Sequence, residues 1–139
     1  MRDLTSKKNM QNITDAIGGQ VVQMYYRLPT TEERFGFTKA CLEQDGDEVK
    51  YNPGPARLEY GLKVLTGFRE GDFGADGKPI SSDPKSKAYR KDWKKLLGQT
   101  SADLVMALAL AVFEGARLLG PGDPKKEGAD LPLSTSSGD

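Results

Sequence analysis

Apolar positions along the chain recur at helical spacing in four places and show strand character in one. Thr30-Thr31-Glu32-Glu33 has the form of a capping box, and Phe35, Thr38 and Leu42, with Phe37 and Cys41 beside them, follow at three-to-four spacing, which predicts a helix to about Gln44. Asp45-Gly46-Asp47 stops it. Pro53-Gly54-Pro55 opens a second helix whose stripe is Leu58, Leu62 and Leu65, with Gly61 allowing a close neighbour and Gly67 as its stop. Asp83-Pro84 starts a third, over 84–97, with Tyr89, Trp93, Leu96 and Leu97 on one face and Gly98 at its end. The fourth runs from Ala102 to about Leu119 and is apolar nearly all round, so it reads as a central helix packed by the other three.

The strand character lies in Gln20–Arg27 (Gln-Val-Val-Gln-Met-Tyr-Tyr-Arg), after Gly18-Gly19. A lone strand is unstable in water, so it must lie on helices, pair with a second short strand or pair with another molecule. Val49–Tyr51 is the one intramolecular candidate. The expected fold is therefore mainly α: a four-helix single domain over 20–120 around an apolar C-terminal helix, with one short N-terminal strand. Residues 1–19 read as a flexible arm and 121–139 as a flexible tail, in which Leu131 and Leu133 around Pro132 could order against a partner. The stretch Phe68–Ser82 is long for a helix–helix connection and reads as a loop that a partner could order.

Composition narrows the chemistry. In 139 residues there is no His, one Cys and one Trp, and 20 Lys+Arg balance 20 Asp+Glu. An imidazole base, a His-ligated metal, a thiolate cluster and an intramolecular disulfide are all excluded. Cys41 reads as a reduced, inert thiol. The N-terminus shows no apolar leader, and the uncharged stretch Leu104–Phe113 rises about 15 Å as a helix, half of what a bilayer requires. No membrane partner is expected.

Gly71-Asp72-Phe73-Gly74-Ala75-Asp76-Gly77 invites a calcium-loop reading with Asp72, Asp76 and Asp83 as ligands. However, Gly74 stands where a carboxylate is needed, and Asp83 is shorter than the bidentate Glu. An Asp-Gly surface turn is the simpler reading. The carboxylate pairs Glu32/Glu33, Glu43/Asp47 and Asp72/Asp76 have no apolar setting that would tune them for acid–base work. No cofactor, metal or catalytic residue is expected. The predicted helix 84–97 concentrates positive charge, with Lys87, Arg90, Lys91, Lys94 and Lys95 flanking Tyr89 and Trp93. That face suits nucleic-acid phosphates, an acidic protein surface or plain solvation, and its Lys-heavy make-up would grip backbones without reading bases. The aromatic residues Tyr25, Tyr26, Phe68, Phe73 and Trp93 are the candidate partner-binding set. Phe73 is the sharpest of them, since it sits amid Gly and Asp, with folding back onto the Trp93 face as its alternative.

The order of landmarks is informative in its own right. Tyr26-Arg27-Leu28-Pro29-Thr30-Thr31-Glu32-Glu33-Arg34 is followed by Leu65-Thr66-Gly67-Phe68, Gly71-Asp72-Phe73, Tyr89-Arg90, Asp92-Trp93 and a closing Ala/Leu-rich helix ending Val112-Phe113-Glu114. This resembles small phage- or prophage-encoded proteins of the morphogenesis region, in the style of tail-assembly chaperones and minor virion components, over roughly Tyr26 to Gly120. The resemblance implies a non-enzymatic protein that binds other phage structural or assembly proteins, in the host cytoplasm or the virion, and oligomeric only within an assembly. It assigns no site residue. The competing readings are a nucleic-acid-binding protein using helix 84–97 and a small phage-encoded host-directed inhibitor.

Overall fold

The computed structural model describes residues 1–116. The chain is mixed α/β. Its elements, in order, are β1 (Asn9–Thr14), β2 (Val21–Tyr26), α1 (Thr31–Ala40), β3 (Leu42–Asp45), β4 (Glu48–Tyr51), α2 (Pro53–Val64), β5 (Leu65–Phe68), β6 (Gly74–Ala75), β7 (Lys78–Pro79), α3 (Trp93–Thr100) and α4 (Ala102–Glu114). The strands form a three-stranded antiparallel sheet in the order β1-β2-β5 and two small hairpins, β3-β4 and β6-β7. The expected mainly-α four-helix bundle is thereby corrected.

The strand expected at Gln20–Arg27 is β2, and it sits in the middle of its sheet. One neighbour is β1, inside the segment read as a flexible arm, with Ile13 opposite Val22 and Gln11 opposite Met24. The other is β5, with Met24 opposite Phe68 and a register shift between Tyr25 and Tyr26. Val49–Tyr51 pairs elsewhere, with Leu42–Asp45. β1 escapes the sequence pattern because Met10 and Ile13, its two apolar residues, point to opposite faces of the strand. β5 escapes it because the chain passes from α2 straight into extended backbone at Leu65, and Leu58, Leu62 and Leu65 keep helical spacing across that change.

One side of the sheet is covered by the C-terminal helices. Val22, Met24, Leu65, Phe68, Trp93, Leu97, Leu104, Val105 and Leu108 form the main core. Helices α2 and α4 meet at Gly61, where a Cβ would come within 2.7 Å of the Val105 carbonyl oxygen. Leu104, Val105, Leu108 and Ala109 are buried while Leu110 faces outward, so α4 touches the other three helices as expected, α1 through Phe113 on Phe37, without being enclosed all round. Its predicted end near Leu119, and the tail beyond, lie outside the described residues. A second cluster, Phe37, Cys41 and Ala56 with Tyr60 and Phe113, ties α1 to α2 and α4.

The 68–82 stretch is built into the fold. Asp76 and Gly77 both take positive φ, 54° and 76°, the pattern of a type I′ turn, and join β6 to β7. The returning chain buries Ile80, and Ser81 Oγ donates to Glu70 at 2.8 Å while accepting the Asp83 amide at 3.0 Å. The expectation of a loop awaiting a partner is corrected, because its Phe73 packs on Phe68, edge to face at 4.8 Å, and Phe68 in turn on Trp93.

Candidate functional site

The two candidate sets drawn from the sequence are dispersed by the fold. In the aromatic set, Phe68 and Trp93 are core residues at 2% and 8% exposure. Phe73 and Tyr26 are partly buried against that core, and Tyr25 lies half-buried beside β5 with the Lys8 ammonium 5.4 Å from its ring centroid. These aromatic residues hold the sheet to the helices and present no common surface.

The basic set loses its helix. Residues 84–92 are turns, with a parallel bridge joining Ser81 and Tyr89, and α3 begins only at Trp93. Local side chains compete for the backbone there: Asp83 accepts the Lys85 amide at 2.9 Å and Ser86 accepts the Ala88 amide at 3.1 Å. A helix would also stack Lys87 on Lys91 and Lys91 on Lys95 at i,i+4, like charges that oppose it. Lys94 is turned inward. Its Nζ donates to the Leu62 carbonyl at the end of α2, and burial pushes its pKa down from the usual lysine value. Arg90 pairs with Asp92 at 2.7 Å. Lys87, Lys91 and Lys95 remain exposed, without the continuous face expected of helix 84–97.

The acidic turn is likewise structural. Asp72 accepts the Gln23 amide at 2.8 Å and pairs with Arg69, so it closes β2 against the following turn. Among the described residues, no group of three or more Cys, Asp or Glu side chains converges on a metal position. Among the described residues no single helix is long and apolar enough to cross a membrane.

The capping box at the start of α1 forms as expected, with Glu33 N donating to Thr30 Oγ1 at 3.1 Å and Thr30 N to Glu33 Oε1 at 2.9 Å. It anchors a larger cluster. Arg27 grips Glu33 with two bonds of 2.8 Å and reaches the Lys63 carbonyl, so one guanidinium joins β2, α1 and the end of α2. Its hydrogen bonds hold the Glu33 carboxyl down to about 2, well below the usual range.

The feature that stands out is on the far side of α1. Phe37 and Cys41, at i and i+4, face inward, while Phe35 is 73% exposed. The inward stripe is thus offset from the Phe35/Thr38/Leu42 stripe of the sequence reading. Leu42 lies on β3, where the helix predicted to Gln44 has already given way to a hairpin. In that hairpin Leu42 is opposite Tyr51 and Gln44 opposite Val49, so these four share one face, and Glu43, Asp45, Glu48 and Lys50 share the other. The charged face is satisfied by Lys50 and Asp45 at 2.6 Å. Among the described residues nothing covers the apolar face: Leu42, Val49 and Tyr51 are 52%, 59% and 65% exposed.

This face continues into an open groove of about 470 Å³ between the hairpin, α1 and the end of α4. Phe35, Leu42 and Tyr51 form its rim and Phe37, Cys41 and Phe113 its floor. The floor is rigid. Phe113 stacks on Phe37 with centroids 4.7 Å apart, and Tyr60 closes edge-on against both at 5.9 Å. Glu114 at one end is clamped by Arg57 through bonds of 2.8 and 2.9 Å. The Cys41 thiol is pushed up by burial and by the nearby Glu114 charge, so it acts as apolar surface. A two-stranded hairpin is marginal by itself, and one with an uncovered apolar face is ordinarily completed by something laid against it. The sequence signal for this site was Asp45-Gly46, which marks a hairpin as readily as it stops a helix.

No known protein family, curated protein or solved structure matches the chain, so the geometry stands without a relative beside it.

Proposed function

We propose that this protein works without catalysis, by binding another protein through the apolar face of the β3-β4 hairpin and the groove behind it. The observation that carries the reading is the concentration of four large exposed apolar side chains, Phe35, Leu42, Val49 and Tyr51, beside a stacked aromatic floor. Such a patch favours an apolar segment of a partner chain, each fully buried side chain contributing about 1.5–3 kcal/mol. The binding surface differs from the one read in the sequence, since the 68–82 stretch is already packed and the aromatic set belongs to the core. The setting we propose, phage particle assembly, rests on the order of sequence landmarks. The nucleic-acid reading loses support, because Arg90 and Lys94 have intramolecular partners and residues 84–92 are not helical.

The test is site-specific photo-crosslinking in an induced lysogen or infected host. A crosslinker at Phe35 or Tyr51 should trap a discrete protein, and one at Lys87 or Lys95 should not. Serine at both Phe35 and Tyr51 should abolish capture at a third groove position while leaving the melting temperature within a few degrees. Capture that survives the double serine variant would overturn the proposal.

A further inference from the structure

We propose that the outer edge of β4 is a self-pairing edge, through which two copies of the chain join their hairpins into one four-stranded antiparallel sheet. Asn52 N donates to Cys41 O at 2.7 Å, so Cys41 and Asn52 form a hydrogen-bonded pair. Bonded and non-bonded pairs alternate along an antiparallel ladder. Glu43/Lys50 and Asp45/Glu48 are then bonded, and Leu42/Tyr51 and Gln44/Val49 are not. The Val49 and Tyr51 amides and carbonyls therefore point away from β3, unpaired among the described residues along an exposed strand.

A two-fold axis through Val49 satisfies this edge symmetrically. Val49 faces the partner's Val49 as a bonded pair and exchanges both N–H···O bonds, using groups that β3 leaves free. The flanking positions then place Lys50 opposite the partner's Glu48, and Glu48 opposite the partner's Lys50. The interface gains two cross-strand pairs of opposite charge, and the two apolar faces fall on the same side of the joined sheet. Lys50 loses little by sharing its ammonium, because its bond to Asp45 joins two side chains that are each more than half exposed.

The same operation on the edges of β3 and β1 gives no such match. Centred on Gln44, the edge of β3 would set Glu43 against the partner's Asp45, like against like. The edge of β1, Asn-Met-Gln-Asn-Ile-Thr, carries no charge to select a register. The pairing edge is independent of the groove reading, since it uses the β4 backbone and the Glu48 and Lys50 side chains and neither Phe35 nor Phe113.

An interface this small belongs to the weak class, with dissociation in the micromolar to millimolar range. Sedimentation equilibrium on the full chain, at concentrations up to about 0.5 mM, should show a monomer–dimer equilibrium that weakens with salt. Glu48→Lys alone and Lys50→Glu alone should each abolish the dimer, because each sets like charges across the axis. An equimolar mixture of the two should restore it, since the heterodimer pairs Lys with Glu at both positions. Val49→Pro removes an amide that the hairpin does not use, and it should give a folded monomer. The proposal is overturned if the wild-type chain stays monomeric throughout, if either single charge variant still dimerises, or if the mixture does not recover. Serine at Phe35 and Tyr51 should leave the dimer in place, which separates this result from a failure of the groove reading.

Discussion

Replacing Gly61 by alanine should destabilise the protein, although alanine is the better helix former. In the middle of a helix the exchange is worth about 0.8–1.0 kcal/mol in favour of alanine. Against this, the new Cβ would sit 2.7 Å from the Val105 carbonyl oxygen, 2.9 Å from Val105 Cγ1 and 3.3 Å from Ala109 Cβ. The nearest atom belongs to the α4 backbone and cannot rotate away, so the two helices must separate. Overpacking of this kind costs about 1–3 kcal/mol, and separation also loosens Leu108 and Val64, both fully buried. The net expectation is a loss of about 1–2 kcal/mol, read by urea denaturation as a lower midpoint at unchanged slope. Gly98→Ala is the matched control. It lies inside α3, and its Cβ would meet Leu62 Cδ1 at 3.1 Å, the end of a flexible side chain. There the helix term should prevail, giving between no change and a gain of about 0.5 kcal/mol. If Gly61→Ala matched or exceeded the wild type, or if the two variants moved together, the close crossing of α2 and α4 would be refuted. Val105→Ala should not rescue Gly61→Ala, because it leaves the carbonyl oxygen in place.

Two further outcomes follow from named groups. The Glu33 carboxyl is held at about 2, below its ordinary value of 4.5, so its contribution is present above pH 4.5 and disappears as the pH falls toward 2. Allowing for the exposure of Arg27, about 1–2 kcal/mol should be lost across that window and be absent from the pH profile of Glu33→Gln; an unchanged acid limb in that variant would refute the role of the ion pair. Phe37→Ala should cost about 3–5 kcal/mol, since the ring is buried and stacks on Phe113, whereas Phe35→Ala, one turn edge away, should stay within about 0.5 kcal/mol. Equal losses in chemical denaturation would mean that the facing of α1 is wrong.

Local chemistry made part of this architecture legible in advance. The α1 capping box, β2 and the close approach at Gly61 each depend on residues adjacent in sequence or on a single small side chain, and each appears where expected. The same kind of reading failed where one pattern serves two structures. Asp45-Gly46 ends a helix or turns a hairpin, and the choice depends on whether Leu42–Asp45 has a strand to pair with, which Glu48–Tyr51 supplies. Asp83-Pro84 can open a helix, but Ser86 and Asp83 take the backbone amides first and Ser81 offers a bridge to Tyr89. Of the candidate site, Phe35 and Leu42 were visible as apolar residues but were assigned to the interior, and Tyr51 drew notice only as a strand partner.

The amino-acid sequence alone determined that these 139 residues hold no histidine and no second cysteine, and where the strongest local signals fall, because those properties require no distant neighbour. Tertiary structure alone decided which apolar residues are buried. Periodicity states that Phe35 and Phe37 are apolar but not which of them faces α2 and α4; only the packing of Phe37 on Tyr60 and Phe113 settles that. It also decided that Phe68, Phe73 and Trp93 face one another while Leu42, Val49 and Tyr51 face water, since burial is a property of pairs of elements and no single segment carries it.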